Sequence, residues 1–162
     1  MVVVIDASNI RSGGGLTHLK GILEYYNVNI GFKKIVVYSN LKTLELLPDK
    51  DWLVKETHQL LNKSYLWSFI FQIFILSSHA TKKHQCDIVF SPGGTFFGRF
   101  KPFVTMSRNM LPFEFQEAFR FKSWKVRIRF IILFLTQSIT FKRANGIIFL
   151  TKYAKEIILQ KV

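Results

Sequence analysis

The chain opens "MVVVIDASNIRSGGGLTHL" (Met1–Leu19), and the reading of this stretch decides the fold. Val2–Ile5 is a continuous, β-branched apolar run, the pattern of a strand buried on both faces. Apolar residues then recur at Leu16, Leu19, Ile22, Leu23 and Tyr26, the spacing of one helix face, with Thr17 placed to cap a helix that reaches Asn27. Between the two stand Gly13, Gly14 and Gly15. Three adjacent glycines cost chain entropy, so a local need for bare or unusual backbone is implied. Two readings are open. The glycines can let backbone N–H groups approach an anion at a helix N-terminus, or they can form a plain tight turn. No Gly-Lys-Ser/Thr follows, and the G-x-G-x-x-G fingerprint fails at Leu16 and Thr17.

The pattern repeats along the chain. Strands are expected at Lys34–Tyr38, Trp52–Glu56, Asp87–Ser91, Pro102–Met106 and Gly146–Leu150. Helices are expected at Leu41–Leu47, Ser64–Lys83 and Phe119–Arg143, the last with one break, and from Thr151 onward. This order predicts an α/β, Rossmann-like domain over residues 1–162, with a mostly parallel sheet and helices on both faces. In such a sheet, ligands bind outside the carboxyl ends of the strands. Four loops leave those ends: "DASNIRSGGG", "SPGGTFFGRF", "SRNMLPFE" and "TKYAK". They carry the candidate binding residues Gly13, Gly14, Gly15, Gly93, Gly94, Thr95, Arg108, Asn109 and Glu114, with His18 at the helix start. Arg108 and Asn109 offer donors to a ligand oxygen. Glu114 reads either as a site carboxylate or as half of a surface ion pair.

Charge narrows the partner. The 162 residues carry 23 Lys/Arg against 10 Asp/Glu, a net +13. Residues 1–94 hold 10 and 7 of these, and residues 95–162 hold 13 and 3, so the excess sits in the second part. Nucleic acid, anionic lipid and phosphorylated substrates all suit it. The nucleic-acid reading is disfavoured, because no RNP-like, zinc-finger or helix-turn-helix pattern is present and the aromatics stand in apolar runs. A single cysteine, Cys86, excludes an intrachain disulfide and reads as a small core residue. His18, His58, His79 and His84 show no metal-ligand spacing, so neither a metal nor a cofactor is expected. The apolar runs at 66–76 and 128–135 are too short to span a bilayer, and the first reads as a core helix. In the second, Phe121, Trp124, Ile128, Ile131, Ile132 and Leu135 share one face, flanked by Lys122, Lys125 and Arg129. A helix lying on an anionic membrane and a core helix with a basic edge both fit that pattern.

The segments "DASNIRSGGGLTHL", "VFSPGG", "KPFVTMSRNMLPFE" and "RANGIIFLTKYAKE" resemble, in this order, the amino-terminal half of the family 4 (group 1) retaining glycosyltransferases. The resemblance covers roughly residues 1–160. It implies one half of a GT-B architecture: a first domain that shapes the acceptor site, facing a second that holds most of the nucleotide-sugar site with an acidic Glu-x7-Glu motif and no required metal. Two departures stand out. No Glu-x7-Glu occurs in this chain, and Arg108 stands where many relatives have histidine. The resemblance therefore implies an acceptor-side domain without its donor domain, inactive by itself. The implied activity is transfer of a sugar from a nucleotide-sugar to a glycan or lipid-linked acceptor in cell-surface polysaccharide synthesis. The implied location is cytoplasmic, peripheral on the inner face of the membrane. The alternative is a non-catalytic or split-enzyme binding domain that associates with an anionic membrane or a partner subunit. Loss of the facing domain is expected to expose Phe96, Phe97 and Phe113 and to favour self-association.

Overall fold

The computed structural model describes every residue except Val28 and Ile30. Six strands, β1 (Val2–Asp6), β2 (Lys34–Tyr38), β3 (Leu53–Glu56), β4 (Ile88–Ser91), β5 (Phe103–Ser107) and β6 (Gly146–Phe149), form one sheet in the order β3-β2-β1-β4-β5-β6. Every pairing is parallel, so the sheet is wholly parallel rather than mostly so. The helices are α1 (Gly13–Glu24), α2 (Leu41–Glu45), α3 (Tyr65–Phe74), α4 (Leu76–Ser78), α5 (Phe115–Phe119), α6 (Trp124–Arg143) and α7 (Lys152–Leu159).

Side chains of β1 and β2 alternate between two cores, as the two-residue period of a strand dictates. Val3, Ile5, Ile35 and Val37 pack with Leu19 and Leu23 of α1 on one face. Val4, Val36 and Tyr38 pack with Phe71, Leu76, Phe96 and Phe103 on the other. A third cluster, Phe113, Phe141 and Ile158, fastens α6 and α7 beside β6. On the α1 face, Ile88, Phe90, Val104 and Ile148 line an open apolar groove of about 250 Å³.

Three helices differ from their expected limits. The helix after β1 begins at Gly13 instead of Thr17, with Ser12 as its extended N-cap, so the three glycines are its first turn and not a loop before it. The run 64–83 is not one helix. It is broken at Ile75 (φ −112°) and ends in a wide π turn, His79–Lys83. The run 119–143 has the one break expected of it, but at its very start: Phe121 and Lys122 lie in the turn before α6, whose N-cap is Ser123. Cys86 is only half-buried; its thiol donates to the Ile88 carbonyl at 2.9 Å, and burial raises its pKa.

The π turn has a visible consequence. It brings His84 Nε2 to 3.0 Å and His79 Nδ1 to 3.4 Å from the Tyr38 hydroxyl. Burial holds both imidazoles below their ordinary pKa of 6.5, a shift that Glu56, 3.6 Å from His84, only partly offsets; burial and the Glu56 charge together hold the Tyr38 phenol above its own. The unfolded chain therefore binds protons that the folded chain refuses once pH falls below 6.5. Stability contributed by this cluster is complete above that pH and declines below it. The urea midpoint is expected to drop on acidification through the histidine range, and the drop should be smaller in His84→Gln. An equal acid slope in that variant would remove His84 from the explanation.

Candidate functional site

The order of strands reverses between β1 and β4: the chain runs outward through β2 and β3 on one side and through β5 and β6 on the other. The crevice above this switch point is where open parallel sheets bind ligands. The loops after β1, β4 and β5 meet here. Asn9 Nδ2 donates to Thr95 Oγ1 at 3.0 Å. Gly93 lies so close to Asn9 that a Cβ there would sit 2.3 Å from Oδ1. Gly94, at φ +77°, packs against the Met106 carbonyl and Gln137.

The three glycines of α1 meet three different demands. Gly13 adopts φ +66°, a conformation that strains any residue with a Cβ. A Cβ at Gly15 would meet the Arg108 guanidinium at 2.9 Å, so Arg108 reaches from the end of β5 onto the first turn of α1. Gly14 has nothing within 4 Å. Neither geometry nor packing requires glycine there, and what it offers is bare backbone facing open space. The first turn carries no acidic residue and no side-chain cap, so its leading N–H groups are free of side-chain partners.

Arg108 is half-buried and forms no hydrogen bond or ion pair with any described residue; its Nε is enclosed without a partner. Burial alone lowers its pKa, yet a guanidinium keeps its proton in proteins. A retained charge beside free helix N–H groups is a niche for an anion. Other polar atoms near these loops are enclosed and unpaired: Asn9 Oδ1, His18 Nε2, Ser107 Oγ and Gln137 Oε1.

A cavity of about 240 Å³ opens between α3 and α6 beside this rim. Tyr65, Phe69, Phe97 and Leu133 form its walls, and Ser8, Asn9, Gln72 and Thr95 contribute the polar groups. A network beneath it holds the loops. The Gln72 amide donates to Asp6 Oδ2 and, at 3.4 Å, to the Thr95 carbonyl, while its oxygen accepts from Phe97 N at 2.9 Å. Asp6 is fully buried; burial raises its pKa, and hydrogen bonds from Ser8 and Gln72 oppose the shift. Arg11 stacks on the Tyr65 ring at 4.3 Å and donates to Ser68 Oγ at 3.3 Å.

Of the residues expected from sequence, Gly13, Gly14, Gly15 and Arg108 come together, as do Gly93, Gly94 and Thr95 with Asn9. His18 is half-buried one turn further along α1. Asn109 and Glu114 do not join them. The Asn109 oxygen accepts from Leu111 N at 3.1 Å, which closes its own turn. Glu114 accepts from the Tyr153 hydroxyl at 2.7 Å, which raises the Tyr153 pKa, and lines a separate depression with Lys161. No local pattern singles out Asn9, Gln72 or Asp6, because the partners that give them meaning lie 66 to 86 residues away. Phe96 and Phe113 are fully buried and Phe97 is half-buried, contrary to the expected exposed cluster. Each has a partner within the domain: Phe96 packs on Phe103, Phe113 on Phe141, and Phe97 on Phe69. Lys122, Trp124, Lys125 and Arg129 are all exposed. Among the described residues, no group of three His, Cys, Asp or Glu is placed to hold a metal ion, and no helix is long and apolar enough to cross a membrane.

No protein-family model, curated protein or solved structure matches the chain.

Proposed function

We propose that this chain is the acceptor-side domain of a retaining glycosyltransferase of GT-B architecture. It acts with a nucleotide-sugar donor and a glycan or lipid-linked acceptor in the synthesis of cell-surface polysaccharide. The observation that carries this reading is the Arg108 guanidinium resting on Gly15, unpaired, at the uncapped start of α1. In a two-domain cleft this niche meets the donor diphosphate. Helix N–H groups and a guanidinium there stabilise the negative charge that grows on the departing nucleotide. Arg108 supplies that charge at the position many relatives give to histidine. The cavity between α3 and α6, with aromatic walls and amide and hydroxyl groups at its base, suits the ring of an acceptor sugar. The same reading seats the chain peripherally on the cytoplasmic face of a membrane, where lipid-linked acceptors reside.

The test is titration calorimetry with inorganic pyrophosphate at low ionic strength. Arg108→Gln is expected to weaken binding at least about tenfold, since hydrogen bonds to a charged group are worth about 1.5–3 kcal/mol. Gly14→Ala should also weaken it, by blocking approach to the backbone. Its fold should be unharmed, because the added Cβ has open space and alanine favours the helix. Lys125→Gln, on α6, serves as the charge control. Pyrophosphate affinity untouched by Arg108→Gln would rule out this niche as the diphosphate site.

A further inference from the structure

α3 is a ten-residue helix, "YLWSFIFQIF", without one charged side chain. Ser68, Phe71 and Gln72 are its buried residues. Outward it presents Tyr65, Leu66, Trp67, Phe69 and Phe74, with Leu66 and Phe74 66% and 67% exposed. Its composition predicts a core helix, but only one of its faces has a partner.

α6 repeats this on a longer scale. It buries Gln137, Thr140 and Phe141. Trp124, Ile128, Ile131, Ile132, Leu135 and Ile139 are exposed, Trp124 at 65% and Leu135 at 54%. At 100° per residue these six fall within one arc, opposite the buried side. Phe130, Leu133 and Phe134 are half-buried on the inner side with Phe141, so the helix is apolar on two opposed faces, and the rest of the domain covers only the inner one. An apolar surface of this extent marks an interaction site.

The charge around these helices selects the occupant. No Asp or Glu occurs between Glu56 and Asp87, or between Glu117 and Glu156. Lys122, Lys125 and Arg129 are exposed beside the outer stripe of α6, and Lys63 lies over the Trp67 ring at 4.8 Å. A second copy of the chain would bring the same cations and no counter-charge, so this surface repels itself. Its centre on α6 is aliphatic and offers bases little to stack on, which disfavours nucleic acid. Apolar residues to enter an acyl layer, Trp and Tyr for the headgroup level and flanking cations for acidic lipid fit a bilayer surface.

We propose that α3 and α6 together form a docking face for membranes containing anionic lipid, and that the cavity between them admits an acceptor presented by that membrane. The second clause rests on the glycosyltransferase reading; the docking face itself does not. Vesicle sedimentation with the full chain tests it, using phosphatidylcholine with and without phosphatidylglycerol. The triple variant Lys122→Gln, Lys125→Gln, Arg129→Gln is expected to bind phosphatidylglycerol vesicles about a hundredfold more weakly. That difference should shrink in high salt. The double variant Leu66→Ser, Phe74→Ser on α3 should bind at least about tenfold more weakly, and Trp124→Ala should weaken binding without a change in charge. All of these positions are exposed, so the thermal midpoint should hold, and a midpoint matching the parent certifies each comparison.

Parent-like sedimentation of the triple variant overturns the proposal. Loss in the α6 variants with none in the α3 variant overturns the two-helix face. A stable dimer by analytical ultracentrifugation that dissociates in Leu66→Ser, Phe74→Ser overturns it too, as does an oligonucleotide bound through these residues by a chain that ignores vesicles. Pyrophosphate titration in free solution reads the rim separately, so vesicle binding that survives a negative titration leaves the docking face standing and removes only the donor reading.

Discussion

Phe96→Ala is expected to destabilise the domain by about 3–5 kcal/mol, the usual cost of emptying a buried aromatic site. Phe96 is fully buried, with its ring 4.6 Å from that of Phe103. Gly98 leaves room for it: a Cβ at that position would meet the ring at 2.5 Å. The Phe96 backbone is held as well, its N–H donating to Thr140 Oγ1 at 3.0 Å and its carbonyl accepting from Arg143 at 3.4 Å. The loop after β4 is therefore pinned to α6 around this ring. Domains of this size have total stabilities of about 5–15 kcal/mol, so the urea midpoint should fall steeply. Phe97→Ala, one residue on and half-buried, should cost much less. Equal and small effects at the two positions would return Phe96 to the exposed surface that its place near the rim suggests.

Gln72→Leu is the second large effect, about 2–5 kcal/mol. Leucine fills most of the space but leaves the Phe97 N–H and Asp6 Oδ2 without their partner, Ser8 still holding Asp6 Oδ1, and each orphaned group costs about 1–3 kcal/mol. Asp6 adds a pH signature. Its pKa is raised in the folded state, so the folded chain holds the proton more tightly than the unfolded chain does. Stability contributed by Asp6 is complete below 3.8, its ordinary value, and declines as pH rises toward the folded pKa. Gln72→Leu, by removing a hydrogen bond that favours the carboxylate, should raise the folded pKa further and carry that decline to higher pH. Asp6→Asn should abolish it. A double-mutant cycle between the two positions is expected to show coupling above about 0.5 kcal/mol. Additive costs would mean that Gln72 and Asp6 do not share the network.

The order of elements was legible in the sequence because a strand covered on both faces must be apolar throughout. "VVVI" and "KIVVY" name themselves, "GIIFL" has the same composition although Ile148 is left exposed at the sheet edge, and the alternation of such runs with helices leaves a parallel sheet as the economical solution. The gathering of Gly13–Gly15, Gly93–Thr95 and Arg108 on one rim followed from that topology alone. Ends of helices were less legible, since an uncapped glycine turn looks like a loop until its backbone is seen.

Tertiary structure decided which residues have partners. Arg108 and Gly15 are far apart in the chain, and no local pattern says that a guanidinium will settle on that glycine. Phe96 and Phe97 are neighbours of identical type with different burial, because only Phe96 points into the core beside Phe103. The outer faces of α3 and α6 make the same point from the opposite side. Periodicity finds an apolar stripe, but the stripe is core or surface according to whether another element packs on it, and that is fixed by contacts between residues distant in sequence. On α6, with two apolar faces, the chain itself carries no mark of which one the sheet will take.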